Sequence, residues 1–258
     1  MNGARWPRAT FLAAALVCLT ACVTEGPVRE NPGSPEEAAS ANLQLGAAYL
    51  RKGDLESALD KLQKAVDLDE KNAQAHATLA LAYERVGLVD ESDAHYKKAL
   101  RVSDNNPIID NMYGAYLCRN GSYDEAETYL LRAARNPRYR TPEAAYANAG
   151  VCAVRSERLD EAEAFFRSAL RSNPRYVDAL WNMASLSYEL DRDLQARAFL
   201  ERLAATTPLP STALWLAHRV ERRLGNEPAA RRYAEELKSK FPTSKETAEL
   251  LEAERHGG

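Results

Sequence analysis

The feature that most constrains this chain is a pattern of residue types that returns every 34 residues. Each copy has a small residue within an apolar stretch, a glycine in most copies a few positions later, and alanines beyond it. The first copy consists of Leu45, Gly46, Tyr49, Gly53, Ala58, Leu62 and Ala65. Six copies align between residues 39 and 244 when a two-residue insertion is placed at Arg140–Pro142. A fixed period of this length indicates stacked structural repeats.

The residue types that recur in each copy predict a pair of helices, A and B, in each repeat. Small residues would let helix A cross helix B of its own repeat closely, and five positions carry them: Gly46, Ala80, Gly114, Gly150 and Ala184. Glycine at position 53 and its equivalents can adopt the left-handed conformation that ends helix A. Prolines at 174, 208 and 242 would end helix B. Neither face of such a pair can be buried alone, so the repeats must stack.

This pattern resembles the tetratricopeptide repeat (TPR), which implies an all-α superhelix, or α-solenoid. The predicted repeats are 39–72, 73–106, 107–140, 143–176, 177–210 and 211–244. An amphipathic segment, Lys245–Arg255, is expected to cap the last repeat within a tail of residues 245–258.

The first 21 residues are typical of a lipoprotein signal peptide. Arg5 and Arg8 precede the short apolar stretch Ala9–Leu19, which is too short to anchor the chain in a membrane. It ends in Leu-Thr-Ala followed by Cys22, which resembles the bacterial lipobox, and so Cys22 is predicted to be lipidated. The alternative is ordinary cleavage at a small-residue site, which would leave Cys22 as a free thiol.

The residues after Cys22 suggest a tether and a location. Residues 22–38 contain three prolines and two glycines without helical periodicity, and we predict a flexible linker there. Val23, and not Asp, follows the cysteine, which in Gram-negative lipoproteins goes with transfer to the outer membrane. The body is therefore expected to be lipid-anchored to the inner leaflet of the outer membrane and to face the periplasm.

Composition and motifs argue against several classes of function. The net charge is −3, so no basic excess favours nucleic acid. Four histidines are scattered at 76, 95, 218 and 256, and no zinc, phosphate-loop or nucleophile motif is found. His76 and His95 share the second repeat, but their spacing suits no simple ligand pair. We therefore predict no enzyme activity, metal, cofactor or small-molecule substrate, and a monomeric chain that binds protein.

Two cysteines remain after Cys18 leaves with the leader and Cys22 takes lipid. Cys118 and Cys152 both lie late in helix A of consecutive repeats, which are neighbours in a TPR stack. An even number of cysteines in an oxidising periplasm favours a disulfide. The alternative is a pair of small buried thiols.

Beyond the repeat itself, the chain resembles the PilF/PilW family of type IV pilus lipoproteins along essentially its whole length. The third repeat contains Asn111-Met-Tyr-Gly-Ala-Tyr-Leu-Cys118, and the fourth contains Asn148-Ala-Gly-Val-Cys152. The last repeat contains Leu214-Trp-Leu-Ala-His-Arg-Val, followed by Leu237-Lys-Ser-Lys-Phe-Pro242.

The resemblance implies a pilotin. Such a lipoprotein binds the type IV pilus secretin, promotes its assembly into the outer-membrane ring, and so supports pilus extrusion and twitching motility. Two alternatives stay open from the sequence. One is a TPR adaptor of another envelope-assembly or cell-wall complex, and the other is a non-catalytic lipoprotein subunit of an enzyme complex.

The partner is expected on the concave surface lined by the A helices. In the first two repeats the solvent-facing positions would carry Leu43, Ala47, Leu50, Arg51, Ala77, Leu81, Glu84 and Arg85. Leu43, Ala47 and Leu50 would form an apolar strip for a secretin segment, with Arg51 and Arg85 at its rim. Leu45, Gly46 and Tyr49 are assigned to the core. The alternative is that the linker or the next A helix covers this strip.

Overall fold

A computed structural model describes residues 34–256, which contain thirteen α-helices and, within that range, no β-strand. Twelve helices form six A–B pairs: α1 (Pro35–Lys52) with α2 (Leu55–Leu68), α3 (Ala73–Arg85) with α4 (Val89–Val102), α5 (Pro107–Arg119) with α6 (Tyr123–Ala134), α7 (Pro142–Arg155) with α8 (Leu159–Ser172), α9 (Val177–Glu189) with α10 (Asp193–Ala204), and α11 (Ser211–Arg223) with α12 (Glu227–Lys240). The last helix, α13 (Lys245–His256), packs against α11 and α12. The predicted all-α TPR solenoid is confirmed.

The first helix begins earlier than the sequence predicted. The predicted linker extended to residue 38, but α1 starts at Pro35. Ser34 is its N-cap: the Ser34 hydroxyl accepts from the Glu37 backbone N–H at 3.2 Å, and the Glu37 carboxylate accepts from the Ser34 N–H at 3.1 Å. Proline is favoured at the first helical position, so Pro35 starts a helix where it had been assigned to a flexible segment. The predicted signal peptide, Cys22 and residues 23–33 lie outside the described residues.

Small residues sit where helices A and B cross, as predicted. A Cβ atom added to Gly46 would lie 2.6 Å from Cγ of Leu62, and one added to Gly150 would lie 2.5 Å from Cε1 of Phe166. Ala58, Ala126, Ala162 and Ala196 approach from helix B and are fully buried. The two helices of a pair therefore pack backbone against side chain at these points.

The turn after helix A uses a left-handed residue in all six repeats. Glycines at 53, 87, 121 and 225 have φ between 72° and 83°. In the fourth and fifth repeats, where the sequence has no glycine, Glu157 (φ 61°) and Asp191 (φ 56°) occupy the same place. A non-glycine residue in this conformation costs roughly 1 kcal/mol, so the turn geometry is imposed by packing of the pair.

Contacts between repeats define the curvature of the stack. Each A helix lies against the A helix of the next repeat, whereas within residues 34–256 the backbones of successive B helices stay apart, and each B helix packs against the A helix that follows it. The A helices are thus closer together and lie on the concave side, as the sequence predicted. Apolar side chains form successive core clusters along the array. No helix in this part of the chain is long and apolar enough to cross a membrane.

Candidate partner-binding groove

The predicted apolar strip in the first two repeats is only partly available. Leu50 is 6% exposed and packs with Leu79 and Ala82 in the first core cluster, so its assignment to the surface is wrong. Leu43 and Leu81 are half-buried against the same cluster. Ala77 was also placed on the surface and is fully buried. The alternative, that the next A helix covers the strip, is the correct one for Leu50.

Leu45 shows the opposite error. It was assigned to the core but is 44% exposed, whereas its equivalent in the second repeat, Leu79, is fully buried. The position packs against the preceding repeat, and α1 is the first A helix in the part of the chain that the structure describes. This position is therefore buried where a repeat precedes it, as at Leu79, and exposed in α1.

The polar residues of the predicted site lie on the surface. Arg51 and Arg85 are exposed, and Ala47 is partly exposed. Further along the same face, Arg119 of α5 donates to both carboxylate oxygens of Glu84 in α3, with Nη2 at 2.8 Å from Oε2. This pair links neighbouring A helices, so Glu84 is already engaged within the array.

A cleft of about 460 Å³ lies at the other end of the concave face, between α9, α11 and α13. Its lining includes Trp181 and Tyr188 from α9 and Trp215 from α11, all half-buried. A smaller cleft of about 370 Å³ continues from it and shares Tyr188 and Trp215. Large aromatic side chains left accessible in a groove are typical of partner-binding hot spots.

Two arginines stack on the aromatic rings of this cleft. The guanidinium carbon of Arg219 lies 4.7 Å from the Tyr188 ring centroid and 5.9 Å from that of Trp215. Arg223 lies 4.2 Å from the Tyr188 ring and also pairs with Asp191 (2.6 Å) and Asp193 (2.9 Å). Arg219 has no carboxylate within pairing distance among the described residues. It is therefore a fixed positive charge that is available to a ligand.

The sequence contains the signal for this cleft. Trp181, Ser185 and Tyr188 are the fifth-repeat equivalents of Leu43, Ala47 and Leu50, and Trp215 and Arg219 occupy matching places in the sixth. The concave positions predicted above lie in the first two repeats only, and the same register extended to the last two repeats identifies the aromatic set.

Cys118 and Cys152 are brought together as a disulfide pair. Their Cα atoms are 5.5 Å apart, within the range that a disulfide requires, and both side chains are buried. The pair joins α5 to α7, the A helices of the third and fourth repeats. Beside it, Asn148 of α7 donates a hydrogen bond to Asn111 of α5 at 2.9 Å.

The two histidines of the second repeat meet in the fold, although their sequence spacing suggested no relation. Nδ1 of His76 lies 3.0 Å from Nδ1 of His95, and Nε2 of His76 lies 3.0 Å from the carbonyl oxygen of Glu70. Burial lowers the pKa of both rings, which favours the neutral form of each. A single hydrogen then lies between the two Nδ1 atoms. Among residues 34–256 no group of three or more His, Cys, Asp or Glu side chains is placed to hold a metal ion.

Helix pairs, left-handed turns and a concave A-helix face define a tetratricopeptide-repeat protein. Family models agree: one described as TPR repeat matches residues 46–87, and models described as tetratricopeptide repeat match 77–141, 112–177 and 153–218.

Similarity to individual proteins narrows the class. The chain is 32% identical to type IV pilus assembly protein PilF of Pseudomonas aeruginosa over 200 residues, which is 76% of this chain and 79% of that protein. Two solved structures are similar. PilW, a widely conserved type IV pilus biogenesis factor, has a TM-score of 0.74 at 26% identity, covering 83% of this chain and 98% of that one. Pseudomonas aeruginosa PilF has a TM-score of 0.72 at 29% identity, covering 85% and 99%. The chain belongs to the PilF/PilW family.

Proposed function

We propose that this protein is a lipid-anchored adaptor that binds the type IV pilus secretin and promotes its multimerisation in the outer membrane. It would thereby support pilus biogenesis and twitching motility. The observation that carries the proposal is its similarity to PilF, a type IV pilus assembly protein, over most of both chains. The fold supports a binding role, because a concave face lined by A helices presents side chains to an extended or helical partner.

The proposed arrangement uses the lipid to set the position of the array. Acyl chains on Cys22 would hold the first repeats nearest the inner leaflet of the outer membrane, and the body would face the periplasm. At this end the exposed Arg51 and Arg85, with Ala47 and the accessible edges of Leu43 and Leu81, would contribute to partner binding. Charges at such a rim set orientation and association rate more than affinity.

Deleting the gene is the direct test of secretin assembly. We expect heat-resistant secretin multimers to disappear from gels, with secretin monomer retained, and twitching to be lost. Expression of the wild-type chain from a plasmid should restore both. Normal multimers and pili in the deletion strain, together with a defect in another envelope complex, would contradict the proposal and favour an adaptor of that complex.

Lipidation of Cys22 is a separate prediction. Wild-type protein should incorporate labelled palmitate and pellet with outer membrane, whereas Cys22→Ala should do neither. Cys18→Ala is a matched control, because it removes a cysteine four residues earlier in the predicted leader and should still be labelled. Equal labelling of the Cys22→Ala protein would show that the acceptor is elsewhere.

A further inference from the structure

The aromatic cleft at the C-terminal end of the concave face has the composition of a peptide-binding site. We propose that the cleft between α9, α11 and α13 binds a segment of a partner protein that presents an apolar or aromatic side chain next to an aspartate or glutamate. This inference concerns the chemistry of the segment and stands whether or not the partner is the secretin.

The apolar half of the proposed ligand follows from the three rings. Trp181, Tyr188 and Trp215 project from two adjacent A helices into one cleft of about 460 Å³. All three remain half-buried, so each has ring surface that the fold leaves uncovered. The volume suits a few side chains of a peptide, and burying them against aromatic faces supplies most of the affinity.

The acidic half follows from which charges are already paired. Arg223 is held by Asp191 and Asp193, and Lys245 pairs with Glu249 at 3.2 Å. Arg219 is stacked on Tyr188 and has no such partner among the described residues. A carboxylate placed beside the rings would meet a guanidinium whose position is fixed by stacking, so little side-chain entropy is lost on binding.

The acidic residues of the cleft do not reverse this preference. Glu249 forms an ion pair with Lys245 at 3.2 Å. Glu246 stays ionised, because hydrogen bonds from the backbone and from Ser211 lower its pKa, and its charge is offset by the N-terminus of α13, in whose first turn it lies. Glu189 is exposed at the rim, where it would favour a basic residue further along the bound segment. Among the described residues, Arg219 is thus the arginine that stacks on the aromatic faces without an ion-pair partner, and it defines the acidic contact.

Intrinsic fluorescence offers a direct readout. Of the three tryptophans in the sequence, Trp6 lies in the predicted leader and the other two line this cleft. A random peptide library, displayed as internal segments, is selected on the purified full-length protein. We expect enriched peptides to carry Leu, Phe or Trp beside Asp or Glu, and a synthetic consensus peptide with blocked ends to change tryptophan emission on titration.

Charge reversal tests the acidic contact. Arg219→Glu should weaken binding of the consensus peptide by about tenfold or more. A peptide with Lys in place of the acid should recover binding to that variant. Arg231→Glu is the matched control, because Arg231 is exposed on α12, outside the cleft, and its reversal should leave affinity unchanged. Circular dichroism checks that both variants are folded. If Arg219→Glu disturbs the fold, Arg219→Gln replaces it in the binding measurement.

Three results would overturn the inference: a selection that enriches the same peptides on a Trp181→Ala, Trp215→Ala protein, a consensus without a carboxylate, or wild-type affinity in Arg219→Glu. Secretin multimers in the Arg219→Glu strain separate this inference from the proposed function. If peptide binding is lost and multimers stay normal, the cleft serves a different partner. If the gene deletion itself leaves multimers normal, the proposed function fails while the peptide result stands.

Discussion

Replacing Gly114 with leucine should destabilise the protein by about 3 kcal/mol or more, at the upper end of what overpacking costs. A Cβ atom at this position would lie 2.7 Å from Cγ of Leu130 and 3.0 Å from the carbonyl oxygen of Ala126. Leu130 is fully buried, so its side chain has no free space to enter. The Ala126 oxygen belongs to the backbone of α6, so a larger residue must push α5 and α6 apart. Chemical denaturation followed by circular dichroism measures the loss.

Two companion variants separate overpacking from a general effect of added bulk. Ala198→Leu enlarges an exposed position on α10 and should change stability by less than about 0.5 kcal/mol. Gly114→Ala combined with Leu130→Ala should be less destabilising than the sum of the single changes, because the second opens space for the first. Wild-type stability in Gly114→Leu would mean that α5 and α6 do not cross at this point.

Removing the bond between Cys118 and Cys152 should cost about 3–4 kcal/mol, since it closes a loop whose ends are separated by 34 residues. The Cys118→Ala, Cys152→Ala protein should show this loss as a lower denaturant midpoint, with an equal or steeper slope because its unfolded chain is less constrained. Because the stability of a repeat array is built from neighbouring interfaces, amide exchange should increase most in α5 to α8.

Reductant provides the matched control for the disulfide. Dithiothreitol should lower the stability of the wild-type protein to that of the double-alanine variant and should leave the variant unaffected. Mass mapping of non-reduced protein from the periplasm should recover one cross-linked peptide pair. Two alkylated free thiols in that material, with no effect of reductant, would show that the cysteines are only packed side by side.

Repeat number, helix pairing and the crossing residues were predictable because they follow from a local rule used six times. A small residue at 46, 114 or 150 lies against the equivalent position of helix B in each copy, and the sequence shows the 34-residue period directly. The positions of Cys118 and Cys152 in neighbouring A helices followed from the same register. Such inferences need no knowledge of the ends of the array.

The errors occur where that local rule changes. Leu45 has no preceding repeat among residues 34–256 and is exposed, while Leu50 is covered by the following repeat. The start of α1 is set by the N-cap that Ser34 and Glu37 form. The prolines around this cap are typical of a linker, so the sequence suggested a flexible segment there. His76 and His95 come together through the pairing of α3 with α4, and no sequence spacing alone reveals a contact between ring atoms across two helices.

The one-sided contact pattern of the array has a mechanical consequence. Successive repeats contact one another through adjacent A helices and through each B helix with the following A helix, but not through adjacent B helices, so the outer edge of the stack is the more open one. The bond between α5 and α7 fastens that inner edge near the middle, and α7 also contributes to the apolar clusters on both sides of it. The cross-link therefore fixes the spacing between the third and fourth repeats at this edge. In the oxidised chain the disulfide would hold the two halves of the array at a set distance, and with them whatever each half binds. Reduction would release that constraint.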